Sequence, residues 1–387
     1  MATITVAGTA IQPAIDKAQP KDTLDIKAGG YAGRLKIGKP LTIICAPDTI
    51  IDGGQGDGFI NVDIAAADVT WRGGDVRHAG NAFRFRGQNI NALVEDVSIP
   101  VVDWMVRNTP YDPAKPETKY DDYGGNAFTG AQATGITIRR VKARNLRAVS
   151  SDYTRDGGFI DLFEMANVLV ESCEVWDSVN FAESGRGANK PLNKNIRFIN
   201  NTVHGRPNPS VSASATTVSN GMYMRAVEGL LIKGNTFDRI DWWTVLFATG
   251  GGFGGPITGE VSDNTFILLP GVNRETTWDA GTVHSGILFD NNRVYADDPN
   301  TVIAEGGGKR YYRADRTAFA AATGWEKNAY WGVTPPLDPC APYKVELAST
   351  QAALAKMQAE LALANQAVAQ QEQIIASVHG MTAPPEV

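Results

Sequence analysis

The chain has 387 residues, 43% of them hydrophobic, and a formal net charge of −6 at pH 7. That length supports a sizeable core, and the acidic balance argues against a general nucleic-acid partner. No apolar run approaches the ~18 residues of a membrane-spanning helix, and 40 Gly with 9% aromatics suit a turn-rich β protein.

Met1-Ala2-Thr3-Ile4-Thr5-Val6 lacks a basic n-region and an apolar h-region, so no secretory signal is expected. Cys45, Cys173 and Cys340 have no metal-ligand spacing and no even count for a disulfide framework, so folding in a reducing cytoplasm is expected. Residues 1–20 are read as an N-terminal cap. Residues 10–19 within them are expected to form a short amphipathic helix that covers the open end of the strand array beyond it. Strands are expected at 23–27, 35–37, 41–45 and 50–52.

From there a short phrase recurs. It reads Val168-Leu169-Val170-Glu171-Ser172-Cys173-Glu174-Val175, then Ile196-Arg197-Phe198-Ile199-Asn200-Asn201-Thr202-Val203, then Leu231-Ile232-Lys233-Gly234-Asn235-Thr236-Phe237. Further copies end at Asn264 and Asn292, and weaker ones lie upstream. Anchors at 74, 97, 141, 173, 201, 235, 264 and 292 step by 23, 44, 32, 28, 34, 29 and 28 residues. Period-2 strands in repeats of that size mean a solenoid, because one coil cannot bury its own apolar face. The branched and aromatic residues suit a pleated surface, and Asn, Gly and Asp suit the bends. The Asn at 201, 235 and 264 predicts a ladder of stacked amides at an inward turn. Cys173 occupies the same column as a small buried group.

Ala14-Ile15-Asp16-Lys17-Ala18, Asp22-Thr23-Leu24-Asp25-Ile26, Ala28-Gly29-Gly30-Tyr31, Ile37-Gly38-Lys39-Pro40-Leu41-Thr42-Ile43 and Ile50-Ile51-Asp52-Gly53-Gly54 resemble the opening of right-handed parallel β-helix proteins of the pectin-lyase-like superfamily. The resemblance covers roughly residues 10–325. The helix-like stretch 316–325 is similar to one often found after the last coils of such proteins. The resemblance implies an all-β, right-handed parallel β-helix over 21–300, of roughly eight to ten coils by the repeat length, and a C-terminal cap region over 301–334. It leaves function open, because this scaffold hosts lyases, hydrolases, adhesins and phage tailspikes.

Long steps mark loops, and loops on one face of a repeat array commonly bind ligands. The first, 101–134, carries Trp104, Tyr111, Tyr120 and Tyr123; others span 207–219 and 270–285. The densest charged run is Ser151-Asp152-Tyr153-Thr154-Arg155-Asp156-Gly157-Gly158-Phe159-Ile160-Asp161-Leu162-Phe163-Glu164. Alternation puts Phe159, Asp161 and Phe163 on one face, and Ile160, Leu162 and Glu164 on the other. Glu183 and Arg186 fall in the next coil. Carboxylates on adjacent coils, about 5 Å apart, can share acid and nucleophile or base work on a glycan. A solvated charged face is the plainer alternative. Asp156, Asp161, Glu164 and Glu183 are the candidate catalytic residues.

The candidate glycan-binding residues are Trp104, Tyr123, Arg155, Arg186, Trp242 and Trp243. One ring of the Trp242-Trp243 pair should face outward as a stacking platform, unless both are packed under a loop. No resident cofactor or metal motif is present; Ca²⁺ held by these carboxylates, with Arg155 or Arg186 nearby, is the possible exception. The four histidines are scattered, and His204 reads as a surface turn residue.

Residues 335–342 form a stiff Pro-rich linker. Beyond it, Leu347, Leu354, Leu361, Val368 and Ile375 recur every 7 residues, which predicts an α-helical coiled coil over 343–379, with a tail over 380–387. The alternative is a single amphipathic helix lying on the solenoid. A coil implies a homo-oligomer, a trimer by analogy to phage fibres. Together with the resemblance, these features imply a phage tail or tailspike-like virion protein that is assembled in the host cytoplasm. Such a protein contacts a bacterial surface polysaccharide and other virion tail proteins, or serves as a structural appendage. The alternatives are a polysaccharide lyase or glycoside hydrolase, or an adhesin, secreted or at the cell surface.

Overall fold

The computed structural model describes residues 1–331 except 9, 55–59, 79, 106–124, 150–156, 206–219, 241–242, 251, 269–277, 280–285, 297, 307–308 and 313–328. The linker, heptad segment and tail lie outside the described residues, as does the stretch 316–325.

Three walls of parallel strands make a β-helix. The first wall has eleven strands, from Thr3–Val6 to Ile287–Asp290. The second comes after it in each coil, from Gly29–Ala32 to Ala329–Trp331, with Val102–Met105 paired beside its path on Lys142–Val149. The third has eight strands, from Leu35–Ile37 to Val245–Phe247. Every pairing in these walls is parallel, and after the first pair each joins strands of successive coils that are not consecutive in the chain, consistent with the right-handed solenoid expected. A small antiparallel pair, Val302–Gly306 with Lys309–Tyr312, lies in the region expected to cap the C-terminal end.

The stack is deeper than the repeat length suggests. Thr3–Val6 lies within the segment read as a cap, and it pairs in register with Thr23–Ile26 as the end strand of the first wall. Between them Gln12–Lys17 is helical, with Ile11 and Ile15 buried. The Gln12 amide accepts from Lys36 N at 2.7 Å and donates to Lys36 O at 3.2 Å, so it pairs with the end strand of the third wall as a neighbouring strand would.

Aromatic side chains fill the interior. Phe83 stacks on Phe128 at 5.3 Å, Phe159 on Phe181 at 5.5 Å and Phe237 on Phe266 at 5.4 Å. Each such pair contributes about 1 kcal/mol beyond its area burial. Phe159 does not share the outward face of Asp161. It and Ile160 are both buried, as are Ala127 and Phe128 one coil earlier and Phe181 and Ala182 one coil later. At this corner of the coil two successive side chains point inward, and strict alternation begins only after it.

The turn between the first and second walls is the most regular part. Its first residue takes positive φ in every coil from Gly73 onward, at Asp96, Arg140, Ser172, Asn200, Gly234, Asp263 and Asn291 in turn. The cost of that conformation for non-glycine residues is met by stacking. Ser172 N donates to Ile199 O at 3.0 Å and Asn200 N to Lys233 O at 3.0 Å. The next residue is the predicted ladder. Asn201 Nδ2 donates to Asn235 Oδ1 at 2.9 Å, Asn235 Nδ2 to Asn264 Oδ1 at 3.0 Å, and Asn264 Nδ2 to Asn292 Oδ1 at 2.9 Å. Cys173 starts the column, its backbone N–H donating to Asn201 Oδ1 at 2.9 Å. Burial pushes its thiol up to about 12, so it stays protonated and unreactive.

Candidate functional site

The third wall carries the site. Its strands Gly158–Phe163, Asn180–Gly185, Asn220–Met224 and Val245–Phe247 stack so that Asp161, Glu183, Tyr223 and Leu246 occupy one column. Asp161 and Glu183 are thus direct neighbours, separated by one strand spacing of about 4.8 Å at the backbone. Both are half-buried, with Ile160, Leu162 and Ala182 beneath them in the core.

Glu183 is held from two sides. Its Oε1 is ion-paired with Arg225 Nη2, and its Oε2 accepts from Asn180 Nδ2 at 3.3 Å. Burial pushes its carboxyl above the usual carboxylate range, against the pull of Arg225. Arg225 is itself fixed. Its backbone N donates to Ser184 Oγ at 2.8 Å and its Nε to Ser184 O at 3.1 Å. Its guanidinium lies 4.3 Å from the Tyr223 ring centroid and 5.5 Å from that of Phe253.

Aromatic rings border the pair. Tyr223 and Trp243 lie 6.1 Å apart at 32°, and Phe163 meets Phe253 edge-on at 6.0 Å. Trp243 is half-exposed and Phe253 is 46% exposed. Two carboxylates, a fixed guanidinium and ring faces on one lateral wall suit a polyhydroxylated ligand, whose ring faces stack and whose hydroxyls hydrogen-bond.

The other predicted residues are distributed differently. Glu164 takes positive φ at the turn after the strand, and its carboxylate accepts from Gln132 Nε2 and Gly187 N, each at 3.0 Å. It clamps adjacent coils and stands apart from the Asp161–Glu183 pair. Arg186 donates to Gly254 O and Lys190 O at 3.1 Å, so it holds a loop, and the cation on Glu183 is Arg225 instead. Trp104 lies in Val102–Met105, opposite Ala148 of the second wall, and so belongs to a different wall from the pair. Tyr123, Arg155, Asp156 and Trp242 fall outside the described residues.

Sequence reading missed Arg225, Tyr223 and Phe253. Arg225 is 42 positions from Glu183, beyond a long loop. The usable signal was Met222-Tyr223-Met224-Arg225, whose alternation puts the methionines in and Tyr223 and Arg225 out. His204 is also corrected. It ends the second-wall strand Thr202–His204 and stacks flat on Trp176 at 5.3 Å. Its Nε2 is 3.4 Å from Glu174 Oε1 and its Nδ1 3.5 Å from Asp238 Oδ2.

Among the described residues no three His, Cys, Asp or Glu side chains gather as a metal site would require, and no helix is long and apolar enough to cross a membrane. No family model and no curated protein matches the chain. Solved structures do. An alginate lyase from Paenibacillus sp. str. FPU-7 is 10% identical with a TM-score of 0.39, covering 85% of this chain and 95% of that one. A pectate lyase is 12% identical with a TM-score of 0.48, covering 79% of each. The tailspike protein of E. coli bacteriophage HK620, in complex with a pentasaccharide, is 10% identical with a TM-score of 0.47, covering 79% of this chain and 55% of that one. The chain is similar in fold to these proteins, and its own strand pairing makes it a parallel β-helix.

Proposed function

We propose that this protein recognises a bacterial surface glycan on the third wall of its β-helix, as a tailspike-like appendage of a virion. The observation that carries the reading is the column Asp161, Glu183 and Tyr223, with Arg225 locked onto Glu183 and Trp243 beside Tyr223. Such a face binds sugar through ring stacking and carboxylate–hydroxyl hydrogen bonds. The heptad series Leu347, Leu354, Leu361, Val368 and Ile375 supports self-association, with a trimer joined through 343–379 and attached to other tail proteins there. Ca²⁺ between the carboxylates and an acidic sugar remains part of the proposal, with Arg225 in the place given to Arg155 or Arg186.

A second reading, glycoside cleavage, is favoured by one feature of the same site. Asp161 and Glu183 face the same way from adjacent strands, a placement from which two carboxyl groups can reach the ~5–5.5 Å separation of retaining glycosidases. Glu183, its carboxyl raised by burial, would act as the acid and Asp161 as the nucleophile. Bacterial surface polysaccharides incubated with the purified protein, scored for retention and for chain shortening, test both readings. Retention without shortening supports recognition alone, shortening supports cleavage, and the absence of both overturns the proposal.

A further inference from the structure

The column that holds Asp161 and Glu183 continues toward the N-terminal end of the third wall. In order it runs Lys36, Asp63, Arg84, Thr129, Asp161, Glu183. The parallel outward column runs Arg86, Ala131, Phe163, Gly185. Arg84 and Arg86 both grip the one carboxylate of Asp63. Arg84 Nε and Nη2 donate to it at 3.1 and 2.9 Å, and Arg86 Nε and Nη2 at 2.9 and 2.6 Å. Asp63 is nearly buried, at 5% side-chain exposure, whereas Arg84 and Arg86 are 37% and 53% exposed.

Charge and shape are set by that arrangement. The two guanidiniums hold Asp63 below the usual carboxylate range despite its burial, so it stays ionised. One positive charge of the two is therefore left over. Each guanidinium uses Nε and Nη2 on Asp63 and keeps its remaining N–H groups for a ligand. One coil on, both columns drop to the small side chains of Thr129 and Ala131 before rising to Asp161 and Phe163. The cationic and anionic ends are thus about two strand spacings apart, roughly 9–10 Å, with only these two small side chains between them in the two columns.

We propose that Arg84 and Arg86 form an anion-recognising subsite, and that the glycan is an acidic polysaccharide lying along the solenoid axis. Its carboxylates sit on the guanidiniums, and a sugar ring reaches across Thr129 and Ala131 to the Asp161–Glu183 pair. Without a bridging cation, an acidic group directly over that pair is disfavoured by like charge, which sets the register of the chain. The inference rests on the glycan-binding reading and adds the substrate class and the residues that select it. Arginine suits the role because its planar fork matches a carboxylate in two hydrogen bonds.

The test compares binding of polygalacturonate and alginate with that of dextran at low and moderate salt, for the wild type, Arg86→Gln and Asp63→Asn. Unfolding midpoints establish that each variant is folded. The wild type should prefer the acidic polymers. Arg86→Gln should bind them about tenfold more weakly, with a shallower salt dependence. Asp63→Asn, which adds one net positive charge to the subsite, should bind them several-fold more tightly. A purely structural Asp63 clamp predicts no such gain. Equal retention of dextran and polygalacturonate, or an unchanged Arg86→Gln, would overturn the acidic subsite. Dextran retention that is lost on Trp243→Ala would still leave the glycan site standing. No binding of any polymer would overturn both.

Discussion

The turn column from Cys173 to Asn292 and the outward column from Lys36 to Tyr223 are stacked at the same strand spacing, yet they treat polar groups in opposite ways. In the turn, every amide of the buried asparagines is satisfied by the next coil or by a backbone carbonyl. Asn235 accepts from Asn201 and donates both to Phe198 O and to Asn264. On the third wall the polar groups are concentrated and charged, with Asp161 beside Glu183, both half-buried, and two part-exposed arginines on the nearly buried Asp63. Satisfied, buried polarity locks the register of the coils. Crowded, solvent-facing charge adds little to stability and gives a ligand something to hold. One backbone repeat therefore supplies both a spine and the proposed recognition surface.

Substitutions in the two columns should therefore have opposite effects. Asn235→Ala removes four side-chain hydrogen bonds and strands buried partners above and below. It should lower stability by about 3 kcal/mol in denaturant unfolding while leaving glycan binding at native temperature unchanged. Asp161→Asn with Glu183→Gln should do the reverse. If the site cleaves glycan, the rate should fall by roughly 10²-fold or more at a nearly unchanged unfolding midpoint. Trp243→Ala should weaken glycan retention by about tenfold, equivalent to ~1.4 kcal/mol, as measured by affinity electrophoresis. A midpoint shift matching that of Asn235→Ala would place Trp243 with the spine instead.

The smallest effect belongs to the second wall. Burial pulls the His204 imidazole down, but Asp238 and Glu174 outweigh it and raise the group above its ordinary 6.5. Arg239 Nε, 3.6 Å from Asp238 Oδ1, competes for the same carboxylate. Because the folded value is raised, the stabilisation is fully present below pH 6.5 and is lost as pH rises through the folded value. Urea midpoints should fall between pH 6 and pH 9, and His204→Gln should flatten that slope. An identical slope in the variant would remove His204 as the cause.

Much of the spine was legible in the sequence because its signal is local and repeated. Asn201, Asn235 and Asn264 stand in matching phrases, and their spacing alone implied the ladder. The neighbourhood of Asp161 and Glu183 was legible for the same reason, since equal offsets within a repeat become lateral contacts. Arg225 and Phe253 were not, because they reach the pair from later coils beyond irregular loops whose length sets no register. Phe159 misled because period-2 alternation describes a flat wall, and this residue sits at a corner where two successive side chains turn inward. Thr3–Val6 was missed because a single end strand has no repeated partner in the sequence.

Glycan binding is proposed for the third wall around Asp161, Glu183, Tyr223 and Trp243. Its most direct test is retention on an array of acidic and neutral bacterial surface polysaccharides, comparing the wild type with Tyr223→Ala/Trp243→Ala at matched unfolding midpoints. The wild type should retain at least one acidic polymer, and the variant should retain it at least tenfold more weakly. Equal retention by the two proteins, or no retention of any polymer by the wild type, would contradict it.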